Sequence, residues 1–239
     1  MYPVAILAGG RGTRMAGRTG PLLPKAMLPV AGRPFIDHKL EQLAAEGTTR
    51  VVLLLGHGAG AIADHVGDGA RYGLEVAVVL DGEVLLGTGG AVRRALPELG
   101  EVFWVTYGDT LLSVPVAAAE AAFRSTRRPG LMTVLENHDA WDLSNVAVSG
   151  DLVVEYRKGA PPGTFAFIDY GMVILTRAAV ASFPEGAPFD LAEVLHGLVH
   201  GRQLTAFAVT ERFHEIGSDA GYVETDRWLR SRPAGGLTP

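Results

Sequence analysis

Val4-Ala5-Ile6-Leu7-Ala8-Gly9-Gly10-Arg11-Gly12-Thr13-Arg14-Met15 opens the 239-residue chain with a short apolar run that stops at a glycine-rich turn. The run has the length and composition of a buried β-strand. Three glycines within four residues then let the backbone approach a ligand and aim successive N–H groups at it. Leu7, Ala8, Gly9, Gly10, Gly12 and Thr13 therefore form a candidate phosphate cradle, with an ordinary tight turn as the alternative on spacing alone. Two familiar phosphate loops do not fit. A P-loop needs Gly-x-x-x-x-Gly-Lys-Ser/Thr, and the dinucleotide fingerprint needs a third glycine where Met15 stands.

Outward from this stretch, similar apolar runs recur at 51–55, 74–80 and 102–106, separated by amphipathic segments at 35–45, 59–66 and 88–96. Alternating strands and helices predict an α/β fold: a three-layer αβα sandwich on a mostly parallel sheet, with ligands outside the carboxyl ends of the strands. Beyond a helix at 115–124 the strands crowd together at 130–135, 145–148, 152–156 and 168–175, which predicts a small antiparallel extension. A helix at 191–199, a strand at 204–209 and a helix at 219–230 complete a single domain over residues 1–232, leaving 233–239 as an expected disordered tail.

Composition narrows the function. A formal charge of −5 offers no general attraction for a nucleic-acid backbone, so no nucleic-acid partner is expected. The absence of cysteine excludes disulfides, thiolate metal sites and cysteine nucleophiles. No apolar run reaches the ~20 residues of a membrane helix, and the N-terminus lacks the basic flank of a signal peptide. The expectation is a cytoplasmic protein with no membrane partner; the oligomeric state is not legible. Only three of the 21 basic residues are lysines, Lys25, Lys39 and Lys158, so each lysine carries unusual weight.

Lys25 lies in Pro24-Lys25-Ala26-Met27-Leu28-Pro29, where prolines fix the backbone beside the glycine-rich turn. A rigidly held ammonium near a phosphate cradle suits charge neutralisation on a phosphoryl group. Lys39, on the helix 35–45, is expected to be solvated. Gly87, Thr88 and Gly89 open the helix at 88–96, whose N-terminal dipole favours anions, the alternative being a plain cap made by Thr88. Asp109 follows a strand and Gly108, placing a carboxylate at the ligand edge of the sheet, where a hard Mg²⁺ ion or a helix cap would use it. His57, His65, His138, His196, His200 and His214 show no zinc spacing and are expected at surface or half-buried positions, and Trp104 in the core.

The paired elements resemble the signature of the sugar-1-phosphate nucleotidyltransferase family, Leu-x-Gly-Gly-x-Gly-Thr-Arg followed by Pro-Lys-x-x-x-Pro. The likeness is nearest to its short members, the heptose 1-phosphate guanylyltransferases and N-acetylmuramate 1-phosphate uridylyltransferases. Leu86-Gly87-Thr88-Gly89-Gly90-Ala91 resembles the family's second glycine loop, Tyr107-Gly108-Asp109 its metal-binding aspartate motif, and Phe213-His214-Glu215-Ile216-Gly217-Ser218 its last motif. The resemblance spans roughly residues 3 to 230 and implies a Rossmann-like nucleotidyltransferase fold. Two departures stand out. The family's second metal-binding aspartate is replaced by Glu215, and its Glu-Lys-Pro by Arg157-Lys158-Gly159.

The resemblance implies that a sugar 1-phosphate attacks a nucleoside triphosphate with release of pyrophosphate, GTP being expected ahead of UTP. It assigns Arg14 and the first glycine loop to the triphosphate, Lys25 to the α-phosphate, Asp109 and Glu215 to Mg²⁺, and Asn145 and Lys158 to the sugar phosphate. Two alternatives remain at this stage: a regulatory or scaffolding homologue with impaired catalysis, and a cytidylyltransferase or molybdenum-cofactor guanylyltransferase branch of the same fold.

Overall fold

The computed structural model describes residues 1–10, 15, 17, 23–82 and 84–232. The expectations for Gly12, Thr13, Arg14 and the tail 233–239 lie outside the described residues. In chain order the strands are β1 (Val4–Leu7), β2 (Pro29–Val30), β3 (Arg33–Pro34), β4 (Arg50–Leu55), β5 (Glu75–Leu80), β6 (Val102–Tyr107) and β7 (Thr110–Leu111). Then come β8 (Gly130–Glu136), β9 (Val146–Ser149), β10 (Leu152–Tyr156), β11 (Phe167–Thr176), β12 (Leu204–Val209) and β13 (His214–Glu215). The helices are α1 (Phe35–Ala45), α2 (Ala59–Val66), α3 (Gly87–Leu99), α4 (Val116–Thr126), α5 (Arg177–Ala181), α6 (Leu191–His200) and α7 (Asp219–Ser231).

The central sheet has the order β5-β4-β1-β6-β11-β8-β12-β10-β9. Alternation along β1 distributes side chains to two cores. Val4 and Ile6 pack with Ile36, Leu40 and Leu43 of α1 and Ile62 and Val66 of α2, whereas Ala5 faces Val92, Ala95 and Leu99 of α3. Each fully buried aliphatic side chain contributes roughly 1.5–3 kcal/mol. Trp104 is sealed in the first core as expected, its indole N–H donating to Glu120 at 3.2 Å.

The mostly parallel reading holds, since seven of the nine strands share one direction, but the placement of the antiparallel strands is corrected: β11 lies inside the sheet, between β6 and β8, rather than in an added extension. β1, β4, β5 and β6 run parallel, and so do β8 and β12, but β11 is antiparallel to both β6 and β8, and β10 to both β9 and β12. Half of the neighbour pairs in the sheet are antiparallel. β8 is buried along nearly its whole length, and such a run looks alike in either direction. Direction is set by the connections, such as the two-residue turn Gly150-Asp151 that joins β9 to β10.

Lys39 requires a second correction. It falls between Ile36 and Leu43, on the apolar stripe of α1, and is 1% exposed rather than solvated. Its Nζ donates to Thr106 Oγ1 at 3.2 Å, and that hydroxyl donates to the Gly171 carbonyl at 3.0 Å. Burial pushes the Lys39 amine down to about 8, against the opposing pull of the Glu46 and Asp109 carboxylates. His214 is also more enclosed than expected: it is buried and stacks on Trp228 with ring centroids 3.8 Å apart, and desolvation lowers it to about 4.

A third, smaller core of Met15, Leu28, Val30, Phe35, Leu111, Ile216 and Leu229 fastens α7 to the proline-bounded segment. Two polar contacts add direction: Tyr222 donates to the Pro29 carbonyl at 2.6 Å, and the Ala31 N–H donates to Asp226 at 2.7 Å.

Candidate active-site cleft

The carboxyl ends of the four parallel strands β5, β4, β1 and β6 border one cleft, lined among others by Leu7 to Gly10, Lys25, Asp81, Gly87, Thr88 and Asp109. Its floor is close-fitted backbone. A Cβ on Gly9 would lie 2.8 Å from the Gly56 nitrogen, so glycine is required for the segments after β1 and β4 to meet. The Gly9 carbonyl accepts from the His57 N–H at 3.1 Å, and the Gly108 N–H donates to Leu7 at 2.9 Å. The loop after β1 is thereby held at the strand ends by its neighbours.

At one end of the cleft Lys25 and Asp109 form an ion pair, Nζ to Oδ2 2.6 Å. Lys25 sits on a single 3₁₀ turn, Lys25–Met27, preceded by extended Pro24. Asp109 is fixed through its carbonyl, which accepts from the Ile216 N–H at 3.0 Å as β13 pairs antiparallel with β7. That pairing sets Glu215 opposite Thr110. Gly217 marks the point of convergence: a Cβ there would lie 2.7 Å from Glu215 Oε2, 3.5 Å from Lys25 Nζ and 3.7 Å from Asp109 Oδ2.

The Glu215 carboxylate also has local duties, accepting from the Gly217 N–H and, at 2.6 Å, from the Ser218 hydroxyl at the N-terminus of α7. Among the described residues no group of three or more His, Asp or Glu side chains is arranged to hold a metal ion. The donor set at this point is two carboxylates, a number that suits a hydrated Mg²⁺ completed by substrate phosphates.

The second glycine loop divides between cleft wall and packing. Gly87 and Thr88 line the cleft. Gly87 has φ +70°, and a Cβ there would lie 2.6 Å from the Phe189 carbonyl. Gly89 does not border the cleft: its N–H donates to the Phe189 carbonyl at 3.0 Å, and its missing side chain admits the Phe189 ring. Thr88 is not the cap of α3, which starts from Leu86 without a side-chain cap. Its hydroxyl instead donates to Asp190 at 3.2 Å and accepts from the Leu191 N–H at 2.8 Å, tying α3 to α6.

Asn145 and Lys158 fall in a polar group around Asp169. Asn145 Oδ1 accepts from the Asp169 N–H at 2.8 Å, and Lys158 Nζ lies 3.7 Å from Asp190. Asp169 accepts from the Gly171 N–H at 3.0 Å and the Tyr156 hydroxyl at 3.3 Å. Burial raises its carboxyl above the usual range, with the Gly171 N–H and the Lys158 charge opposing. Sequence reasoning passed over Asp169 and Asp81. The available signal was an acid inside one apolar strand and another immediately after a second.

A family model described as MobA-like NTP transferase domain matches residues 4–185. The bifunctional protein GlmU of Parvibaculum lavamentivorans is 41% identical over 126 residues, 52% of this chain and 25% of that protein. A glucose-1-phosphate thymidylyltransferase of Streptomyces antibioticus is 29% identical over 234 residues, 93% of this chain and 64% of the relative. Among solved structures, HddC from Yersinia pseudotuberculosis complexed with GMP-PN gives a TM-score of 0.79 at 26% identity, covering 96% of this chain and 100% of that one. The chain thus spans between a quarter and about two thirds of the length of these curated relatives.

Proposed function

Because this chain belongs to the MobA-like NTP transferase domain family, we propose that it joins a sugar 1-phosphate, or a sugar-like phosphate, to a nucleoside triphosphate, taking GTP ahead of UTP and releasing pyrophosphate. The observation that carries this reading is the convergence of Lys25, Asp109 and Glu215 on Gly217, beside the Ala8 to Gly10 backbone. An oxygen of the sugar phosphate forms a bond to the α-phosphorus as the bond to the bridging oxygen of the pyrophosphate breaks. The attacking oxygen is already ionised at neutral pH, so the protein supplies position and charge rather than a base. Lys25 neutralises the α-phosphate, which draws it from Asp109. The Ala8 to Gly10 backbone, with Gly12, Thr13 and Arg14, holds the triphosphate, and Gly87 and Thr88 face the nucleoside. Asn145, Lys158 and the neighbouring Asp169 receive the sugar phosphate moiety.

Asp109 and Glu215 would hold Mg²⁺, which supplies charge neutralisation on the phosphate oxygens. The guanine preference draws support from the GMP-PN complex of HddC, a protein 26% identical to this chain. The scaffolding alternative rests on Glu215 alone, since Lys25 and Asp109 stand paired in the cleft. A matrix of nucleoside triphosphates against sugar 1-phosphates, read by pyrophosphate release, tests the reading. Release with at least one pair and loss of release in excess chelator are expected; silence across the whole matrix overturns it.

A further inference from the structure

Between β6 and β8 the strand β11 breaks its register. Asp169 stands opposite Val134 and Val173 opposite Met132, so Tyr170, Gly171 and Met172 share the single partner Thr133. The ladder to β6 starts only at Met172, opposite Thr106. A bulge of this kind bends its strand and re-aims the side chains beside it, and bulges gather next to active sites. Gly171 takes φ +95° here, and the nearest side chain, Tyr107, would lie an ordinary 3.7 Å from a Cβ, so conformation rather than space selects glycine.

Buried hydroxyls from both flanking strands take the carbonyls at the bulge. Thr106 of β6 donates to the Gly171 carbonyl at 3.0 Å, and Thr133 of β8 donates to the Met172 carbonyl at 2.6 Å; both threonines are sealed from solvent. Thr106 Oγ1 also accepts from Lys39 Nζ at 3.2 Å. An ammonium only donates, so the Thr106 oxygen must meet it with a lone pair and turn its own proton to the Gly171 carbonyl. Lys39 thereby fixes the sense of that bond, and the bulge is braced from α1, β6 and β8 together.

The braced segment holds Asp169. The Gly171 N–H donates to Asp169 Oδ1 at 3.0 Å, so one glycine takes Thr106 on its carbonyl and grips the carboxylate with its amide. Asp169 lies beside the cleft: burial first, and then the Asp169 charge, raises the hydroxyl of Tyr107, which lines the cleft. A carboxylate that a ligand must meet in one orientation gains from a support that is itself immobile. We propose that Thr106 is a positioning residue for the sugar phosphate: its hydroxyl, set by Lys39, pins the Gly171 bulge and so holds the Asp169 carboxylate at the acceptor end of the cleft. This rests on the nucleotidyltransferase reading and gives a buried hydroxyl, remote from both substrates, a share in acceptor binding.

Thr106→Val alone would strand the Lys39 ammonium in the core, so the change is made on Lys39→Met, which keeps the bond from Thr106 to Gly171. Relative to Lys39→Met, Lys39→Met/Thr106→Val is expected to raise KM for the sugar 1-phosphate roughly 5- to 20-fold, the loss of about one hydrogen bond. KM for the triphosphate and kcat should stay within about twofold. Lys39→Met/Thr106→Ser restores the hydroxyl and should return the sugar-phosphate KM to the Lys39→Met value. In an Asp169→Ala background the valine change should add less than about twofold, because its target is gone. An unchanged sugar-phosphate KM, equal losses in both KM values and kcat, no rescue by serine, or persistence of the full factor without Asp169 each overturn the proposal. If Asp169→Ala is inactive, the KM split and the serine rescue decide. If the valine variant does not fold, Lys39→Met/Thr106→Cys, with its weak donor, takes its place. If no pair of substrates turns over, the reaction assignment fails, and calorimetric titration with glucose 1-phosphate decides: weaker binding to the valine variant than to Lys39→Met supports the positioning role, and equal or absent binding sinks it.

Discussion

Lys25 and Lys39 both reach the end of β6, and they meet it in opposite surroundings. Lys25 enters the cleft and finds a carboxylate, Asp109, at 2.6 Å. Lys39 comes from beneath, through the α1 core, and finds a hydroxyl, Thr106, at 3.2 Å with almost no water. The same side chain thus lines an open cleft beside a carboxylate in one region and is an internal polar post in the other. An ammonium partly open to the cleft can exchange its carboxylate for a phosphate, whereas a sealed one can only give up its proton.

The largest test of this contrast is activity. Lys25→Ala should lower turnover ~10²-fold or more, as loss of a charge contact made chiefly in the transition state does. Lys39→Met, which keeps the stem in the core, should stay within about threefold of wild type. Comparable losses for the two variants would erase the distinction.

Stability against pH reads the other lysine. The Lys39 amine titrates near 8 in the folded chain and near 10.5 when unfolded. Below pH 8 both states carry the proton and the cost of the buried charge is fully present. Between pH 8 and 10.5 the folded amine discharges first, so this group's contribution should improve by up to ~3 kcal/mol. Denaturant unfolding of wild type and Lys39→Met across that window should show a slope in the former that the latter lacks; parallel curves would mean that the amine is solvated after all.

Glu215 sharpens the cleft side of the comparison. Glu215→Gln should raise the Mg²⁺ concentration for half-maximal turnover by roughly tenfold, with the deficit easing as Mg²⁺ rises, while Glu215→Asp retains substantial activity. A Gln variant with unchanged Mg²⁺ dependence would leave the residue as a brace for Gly217 and Ser218. The smallest effect belongs to a cation in open solvent: Arg33→Gln, which breaks the exposed pair with Glu41 at 2.6 Å, should change stability by less than about 1 kcal/mol.

The two lysines also show what the sequence conveys. The strand at 4–7 and the helices at 35–45 and 59–66 are legible to the residue, because each has its full apolar period and a glycine or proline nearby. The Lys25 neighbourhood was legible because its motif is contiguous. Lys39 was misread because ammonium groups are usually solvated, a general tendency that outweighed its place on the stripe of Ile36, Leu40 and Leu43. Asp81 and Asp169 were missed for a related reason. Each is a single acid in or after an apolar run, and its surroundings are set by which strands lie side by side, a property of topology that no local pattern records. The same limit explains the mixed sheet, where the direction of β11 is decided by its connections.

The short β7–β13 ladder has a consequence for the order in which the molecule is made. Lys25, Asp109 and Glu215 are separated by 84 and 106 positions, and the last of them waits for the final sixth of the chain. The ribosome therefore delivers the walls of the cleft well before the strand that closes the end holding Lys25 and Asp109, and contacts between such distant positions are slow to form. A nascent chain released after residue 209 would contain every strand of the central sheet and still lack the segment that meets Asp109.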